Sequence, residues 1–400
     1  MFGLTLNAWG QTVMPEKADA ARNLPASAQS TTTGDPDPVD APADAKHRKA
    51  IEDDVRAGKE YTTKIEKTLK FSKDTDAQNR LTRVGRVIAK IARHNRVTVL
   101  YGDPRLSPFD YTFKLVQGDD VNAFSVPGGS IYVYEGLMKF IESDDELAAV
   151  LAHEVSHAAF RHYATMSRQS SLIDALAIPA LLAMILSRSD AAVGLAMATQ
   201  MASASFQSGW SVQAEQAADF GSVQFLAKSP YQPVAMLTFM ERLAEKDTFS
   251  GQHGWSIYTT HPPSELRART VYQELTAMNV PIRRSLVTKS LCARMETRAD
   301  MSAQIFFGPT LIYTFRGDAG TTRAAMAVSR LNDFFDRVPE LYQLQLGEQG
   351  ALLGAGRELF RVTGSDPTVS KREQDAAFRA LRKGVFDVGM RASLVRNGNG

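Results

Sequence analysis

The spacing of hydrophobic positions changes several times along the chain, and each change predicts a new block of secondary structure. Apolar residues recur at helical intervals in segments 47–70 and 77–95, where charged residues occupy the remaining positions. They alternate with polar residues in RVTVLY (96–101), in FDYTFKLV (109–116) and on both sides of the Pro-Gly-Gly turn at 127–129. The pattern therefore predicts two helices followed by a small β-sheet.

Helical spacing returns after the sheet and then gives way to a mixed pattern. Ala-rich or amphipathic helices are predicted from near Asp144 and over 211–228, 233–246 and 261–278. From about residue 280 the pattern changes to a strand pair at 303–317, a helix at 324–338, strands at 341–363 and a helix at 371–391. The predicted fold class is α+β, with a mostly helical domain at 47–280 that contains a small β-sheet and a small α+β domain at 281–400.

The segment 1–46 differs in composition from the rest of the chain. It is rich in Pro, Ala, Ser, Thr and Asp and has no apolar period, so we predict that it is disordered. Its first ten residues, MFGLTLNAWG, have no basic start and are a weak match to a secretory signal.

Composition excludes some classes of function. The 400 residues carry a formal net charge of +2 and no long Lys/Arg block, so we expect no nucleic-acid partner. The single Cys292 rules out an internal disulfide framework and a Cys-rich metal site. The apolar segment 171–201 is interrupted by Pro179 and charged residues, whereas a bilayer span needs about 20 apolar residues, so no transmembrane helix is predicted. This segment could cover the active site and touch a membrane surface, or it could be an ordinary core helix.

The sequence LAAVLAHEVSHAAFRH (147–162) contains the candidate chemistry. Ser143 and Glu146 form a predicted capping box at the start of this helix. His153 and His157 are four residues apart, so their imidazoles project from one face and can bind one zinc ion, with Glu154 beside a metal-bound water. His162 lies off that face, and we expect a structural or surface role for it.

A third ligand is predicted in AEQAAD (214–219). Glu215 and Asp219 are also four residues apart on a helix, so one can bind the metal while the other accepts a hydrogen bond from a ligand histidine. Two histidines and one carboxylate leave a fourth position for water, which is typical of a hydrolytic zinc site.

Four blocks in order resemble a known family. They are NAFSVPGGSIYVYEGLM (122–138), LAAVLAHEVSHAAFRH, AEQAAD and THPPSELR (260–267), and together they are similar to the HExxH zinc metalloendopeptidases grouped with the CAAX prenyl proteases and HtpX. The resemblance implies a gluzincin-type domain with one zinc per chain, bound by His153, His157 and Glu215. It implies that Glu154 is the general base and that Asp219 orients a ligand histidine.

The resemblance also implies roles for two flanking blocks. Asn122, Ala123 and Phe124 are predicted to lie on a strand whose edge binds substrate, although Asn122 could instead be a turn residue. His261 is predicted near the metal, either as a zinc ligand in a latent form or as a group that stabilises the oxyanion. Arg267 could anchor this loop or lie on the surface.

Because no membrane span is predicted, the chain resembles the soluble periplasmic branch of this family, which includes the β-barrel-assembly-enhancing proteases. We therefore expect an extracytoplasmic, periplasmic endopeptidase that acts on unfolded or misassembled proteins in envelope quality control. An alternative is a chaperone-like assembly factor that binds apolar clients through 171–201, with proteolysis secondary. The segment before Glu215 lacks the Arg expected from the family, which leaves the substrate cleft less defined.

Overall fold

The computed structural model describes residues 45–169, 210–250, 265–317, 319–363 and 367–396. Its helices are α1 Ala45–Ile65, α2 Thr75–His94, α3 Glu135–Phe140, α4 Asp144–Ala159, α5 His162–Gln169, α6 Trp210–Ala227, α7 Val234–Ser250, α8 Glu265–Ala277, α9 Gly320–Phe335 and α10 Pro367–Arg396. Its strands are β1 Thr112–Val116, β2 Ala123–Val126, β3 Ser130–Tyr134, β4 Ala293–Thr297, β5 Ala303–Phe307, β6 Thr310–Phe315, β7 Leu344–Leu346, β8 Ala351–Gly354 and β9 Arg357–Arg361. The predicted α+β class is confirmed. The segments 1–44 and 171–201 and His261 lie outside the described residues.

Helix α4 runs through the larger hydrophobic cluster among the described residues. Every residue from Glu146 to Ala159 is buried, so the helix has no solvent-facing side. Its neighbours are α6, α2, α7 and strand β2. Small Ala side chains allow these elements to approach closely, which places residues of α4 and α6 within reach of each other.

The N-terminus of α4 is fixed by several polar contacts. The Ser143 hydroxyl accepts a hydrogen bond from the Glu146 amide at 3.1 Å, as the capping box requires. The Glu146 carboxylate accepts from the amide of Glu142, one residue before the cap, at 2.9 Å and also contacts Arg242 of α7. Asp144 in the first turn pairs with two arginines of α2. These contacts fix the start of α4 against α2 and α7.

A three-stranded sheet packs beside α4 in the order β1-β3-β2. Strand β3 is parallel to β1 and antiparallel to β2, and Phe124 lies opposite Tyr132 in the second pair. Within the described part of the chain, β2 is therefore an edge strand that lies close to α4.

The prediction of a strand at RVTVLY (96–101) is wrong, because this segment forms no regular strand. Val97 and Val99 pack against the core, which explains their apolar spacing. The backbone of Thr98 pairs with a side chain instead of a strand: its amide donates to Gln224 Oε1 at 2.9 Å, and its carbonyl accepts from Gln224 Nε2 at 3.1 Å. One glutamine amide thus replaces a neighbouring strand.

The C-terminal residues contain two copies of one arrangement, a three-stranded sheet followed by a helix. Strands β4-β5-β6 form an antiparallel sheet followed by α9, and β7-β8-β9 form a second antiparallel sheet followed by α10. Strand β4 was not predicted from the sequence; the pairs β5–β6 and β8–β9 and both helices were. These elements share a hydrophobic cluster that runs from Leu291 to Val388. Among the described helices, none is long and apolar enough to cross a bilayer.

Gly58 allows α1 to pack against the β2–β3 turn, and we predict that a larger residue at this position destabilises the protein. A Cβ at Gly58 would lie 1.9 Å from the Pro127 carbonyl oxygen, whereas one at Gly389 of α10 would meet nothing within 4 Å. Gly58→Ala should lower the free energy of unfolding by about 1–3 kcal/mol through overpacking. Gly389→Ala, the matched control, should raise it by up to about 1 kcal/mol through helix propensity. Urea unfolding followed by circular dichroism measures both, and equal stability of the two variants would contradict this packing.

Candidate active site

The two predicted histidines and the predicted glutamate meet between α4 and α6. The Nε2 atoms of His153 and His157 are 3.1 Å apart. Glu215 Oε2 lies 3.4 Å from His153 Nε2, and Glu215 Oε1 lies 3.3 Å from His157 Nε2. All three residues are buried, and one ligand atom from each lies within 4.8 Å of the others. The helix spacing predicted from the sequence thus brings three donors to one point.

This arrangement fits zinc. Ligand nitrogens in a tetrahedral zinc site lie about 2.0–2.1 Å from the metal, which places two of them about 3.3 Å apart. The observed separation of the imidazole Nε2 atoms, 3.1 Å, is close to that distance. Two imidazoles and one carboxylate are also a donor set that zinc prefers.

Asp219 contacts one of the predicted ligands, and Arg267 in turn contacts Asp219. Asp219 Oδ1 lies 2.9 Å from His153 Nδ1, on the side of the ring opposite Nε2. Arg267 Nε donates to Asp219 Oδ2 at 2.7 Å, and its Nη2 donates to Oδ1 at 2.8 Å. Arg267 Nη1 is also 3.1 Å from Glu215 Oε2. Arg267 is therefore a buried part of the site and not a surface residue.

The shifts in pKa show that the site favours positive charge at the position of His153. Burial opposes protonation of His153, but hydrogen bonds and charges of Asp219 and Glu215 raise its pKa above the ordinary value. Burial would raise the pKa of Asp219, yet Arg267 and His153 hold it below its usual range. Burial lowers the pKa of His157 despite the charge of Glu215. The carboxylates thus supply a negative field that suits a metal cation.

Glu154 follows the first ligand on α4 and is 2 % exposed. Its charge acts on the pKa values of His157, Tyr163 and Arg267, which places the carboxylate among the site residues. A carboxylate in this position can exchange a proton with a group bound at the metal.

The predicted substrate strand lies beside the site, but its residues differ in orientation. The Asn122 carbonyl accepts from the Tyr134 amide at 3.0 Å, so the main-chain groups of Asn122 face β3. The Phe124 ring stacks on Tyr132, with centroids 4.9 Å apart, inside a small apolar cluster. Because main-chain direction alternates along an antiparallel strand, the polar groups of Ala123 and Ser125 point away from β3.

Tyr163 of α5 contacts this outer side of β2. Its hydroxyl donates to the Ser125 carbonyl at 2.7 Å. Burial and the charges of Glu154 and Glu215 raise the pKa of Tyr163, so the hydroxyl remains a donor. No pattern in the sequence indicates this contact, because Tyr163 lies outside every motif.

His162 is the other residue whose position the sequence did not reveal. It is 1 % exposed, its Nδ1 lies 3.0 Å from His157 Nδ1, and its Nε2 lies 3.0 Å from the Tyr101 carbonyl oxygen. Burial and the neighbouring His157 lower its pKa to about 3, so the ring is neutral at ordinary pH. His162 is therefore buried and not a surface residue, and the residue it contacts is a predicted metal ligand.

Comparison with known proteins agrees with this geometry. Residues 82–275 match the model of peptidase family M48. The chain is 32 % identical over 160 residues to the beta-barrel assembly-enhancing protease of Escherichia coli, covering 39 % of this chain and 33 % of that protein. It is 30 % identical over 181 residues to the mitochondrial metalloendopeptidase OMA1 of Schizosaccharomyces pombe, covering 44 % of this chain and 50 % of that protein.

A third relative is matched over more of its length. The metalloprotease YcaL of Escherichia coli is 28 % identical over 200 residues, which cover 49 % of this chain and 72 % of YcaL. The match to the beta-barrel assembly-enhancing proteases spans only about a third of their length. The matched family region contains all three donors, Glu154 and Asp219. Residues 82–275, just under half of this chain, are therefore similar to peptidase family M48 across the whole of the candidate site.

Proposed function

We propose that this protein is a zinc-dependent endopeptidase that hydrolyses peptide bonds in unfolded or misassembled proteins. The observation that carries the proposal is the buried convergence of His153, His157 and Glu215, with Glu154 on the same helix. The names of the relatives support the proposed cellular location and role, since several are beta-barrel assembly-enhancing proteases. We propose an extracytoplasmic, periplasmic location and a role in envelope quality control on that basis.

The residues of the site have separate tasks in this reaction. Zinc held by His153, His157 and Glu215 would lower the pKa of a water toward about 7 and polarise the scissile carbonyl. Glu154 takes the proton of the attacking water on its carboxylate and then delivers it to the leaving amine. Asp219 and Arg267 hold His153 in the orientation that directs Nε2 into the site. His261 lies outside the described residues, and its role as latent ligand or oxyanion stabiliser stays a prediction.

Main-chain pairing with strand β2 is the proposed mode of substrate binding. The outward groups of Ala123 and Ser125 can form hydrogen bonds with an extended peptide, which requires little side-chain selectivity. An unfolded chain offers such extended segments, whereas a folded protein does not. In the described structure Tyr163 already donates to Ser125, so an incoming peptide that pairs there has to displace the hydroxyl.

Glu154→Gln tests the proposed chemistry. The variant should retain its fold and its zinc but lose cleavage of a denatured protein, because an amide cannot accept the proton of water. Cleavage is followed by gel electrophoresis, zinc content by metal analysis and fold by circular dichroism. Native cleavage by the variant would rule out the general-base role. Loss of cleavage with unchanged suppression of client aggregation would show that a chaperone-like activity exists separately.

Asp219→Ala tests the orientation of His153. Zinc affinity, measured by competition with a chromophoric chelator, should fall by about 10–100-fold because the ring loses its hydrogen-bond acceptor. Glu274→Gln is the matched control: Glu274 is a buried carboxyl on α8, and burial and the charge of Asp219 raise its pKa to about 9. It is protonated at neutral pH, so the amide should leave zinc affinity unchanged. Equal affinities for all three proteins would contradict the role of Asp219.

Tyr163→Phe tests the substrate strand. Removing the hydroxyl leaves the Ser125 carbonyl available to the peptide, and a net hydrogen-bond energy of about 0.5–1.5 kcal/mol predicts a KM lower by about 2–10-fold with kcat unchanged. Tyr111→Phe is the control, because the Tyr111 hydroxyl is buried and makes no hydrogen bond among the described residues. A fall in kcat for Tyr163→Phe would instead place the hydroxyl at the reacting carbonyl.

A further inference from the structure

The chain reverses direction immediately after α4, and this reversal carries His162 back toward the site. Helix α4 ends at Ala159, and Arg161 has a left-handed backbone with φ 55°. The Arg161 side chain is 3 % exposed, donates to Asp54 Oδ2 at 2.5 Å and to Asp103 Oδ2 at 3.1 Å, and so is tied to α1 and to the 96–111 loop. These ion pairs stabilise a backbone conformation that is otherwise unfavourable for Arg.

The contact with Tyr101 fixes which nitrogen of His162 carries the hydrogen. The Tyr101 carbonyl oxygen can only accept, so His162 Nε2 is the donor across the 3.0 Å contact. The neutral ring then has a lone pair on Nδ1. Its surroundings favour the neutral form, since the ring is 1 % exposed and packs beside the aromatic rings of Phe160 and Tyr101.

The lone pair on His162 Nδ1 determines the tautomer of His157 in turn. The two Nδ1 atoms are 3.0 Å apart, so His157 Nδ1 must donate and His162 Nδ1 must accept. A hydrogen on Nδ1 leaves His157 Nε2 unprotonated, and this is the atom that faces Glu215 and His153. The opposite tautomer of His157 would place a hydrogen where the metal has to bind.

We propose that His162 is a positioning residue for the zinc site, which holds His157 in the tautomer and ring orientation that binds metal. The two ligand histidines are then oriented by different acceptors, a carboxylate for His153 and a neutral imidazole for His157. The chain of contacts runs from the Tyr101 carbonyl through His162 to His157. The inference rests on the zinc site of the proposed function and not on the identity of the substrate.

Two amide substitutions separate the two contacts of His162. The Oδ1 atom of Asn lies where His has Nδ1, so His162→Asn retains an acceptor for His157 and loses the contact with Tyr101. The terminal amide of Gln lies where His has Nε2, so His162→Gln retains the contact with Tyr101 and loses the acceptor. Both replacements are polar amides smaller than the ring, and Asn is smaller than Gln by one methylene group, so loss of packing alone would weaken His162→Asn more than His162→Gln.

Zinc affinity of the full chain, measured by competition with a chromophoric chelator, tests the proposal without any substrate. His162→Gln should bind zinc about 10–100-fold more weakly than the native protein, and His162→Asn should stay close to native. In the Co²⁺-substituted proteins the visible absorption bands should be native for His162→Asn and shifted for His162→Gln.

Native affinity in His162→Gln, or an equal loss in both variants, would overturn the proposal. An equal loss would mean that the bulk of the buried ring matters and the acceptor at Nδ1 does not. If the native protein bound zinc but did not cleave proteins, the proposed function would fail and this inference would still be decided by the zinc titration.

Discussion

Two buried imidazoles have to present unprotonated Nε2 atoms to one point, and the residues packed around helix α4 meet that requirement. Each ring meets it through an acceptor on its far side, Asp219 for His153 and His162 for His157. The charged side chains near the two rings also suit a bound metal ion. Among the described residues, the carboxylates of Glu154, Glu215 and Asp219 all act on the buried guanidinium of Arg267. Burying charge costs several kcal/mol, and a divalent cation beside these carboxylates would offset part of that cost.

The position of α4 explains how such a polar site can lie in a protein core. The helix is buried on every side, its start is fixed by the Ser143 cap and the contact between Glu146 and Arg242, and its end is fixed by Arg161. The rings of His153 and His157 therefore cannot turn toward solvent. Ligand geometry is held by rigid helices, while the substrate is expected to bind at a strand edge next to them.

The sequence predicted those parts of the site that depend on regular helix geometry. His153 and His157, and likewise Glu215 and Asp219, are four residues apart, so their shared faces followed from the helix repeat alone. His162 could not be placed this way, because a continuous helix through residue 162, five residues after His157, would point it off the ligand face. Only the end of the helix at Ala159 and the left-handed backbone of Arg161 return the ring to His157. Long-range contacts, such as those made by Tyr101, produce no regular residue spacing from which they could be predicted.

The same distinction separates the correct and incorrect fold predictions. The long helices and the strand pairs β2–β3, β5–β6 and β8–β9 have local periodicity and were found, whereas β4 and the short helices α3 and α5 were not. The segment 96–101 has the periodicity of a strand, yet its backbone pairs with the side chain of Gln224, more than a hundred residues away. The alternation reflects the partial burial of Val97 and Val99 against the core and does not indicate a neighbouring strand.

The most direct test of this account is crystallography of the zinc-loaded protein with anomalous diffraction at the zinc absorption edge. The account predicts one zinc peak per chain, bounded by Nε2 of His153, Nε2 of His157 and the carboxylate of Glu215, with His162 Nδ1 still beside His157 Nδ1. A peak bound through Nδ1 of either histidine, or located away from these three residues, would contradict it.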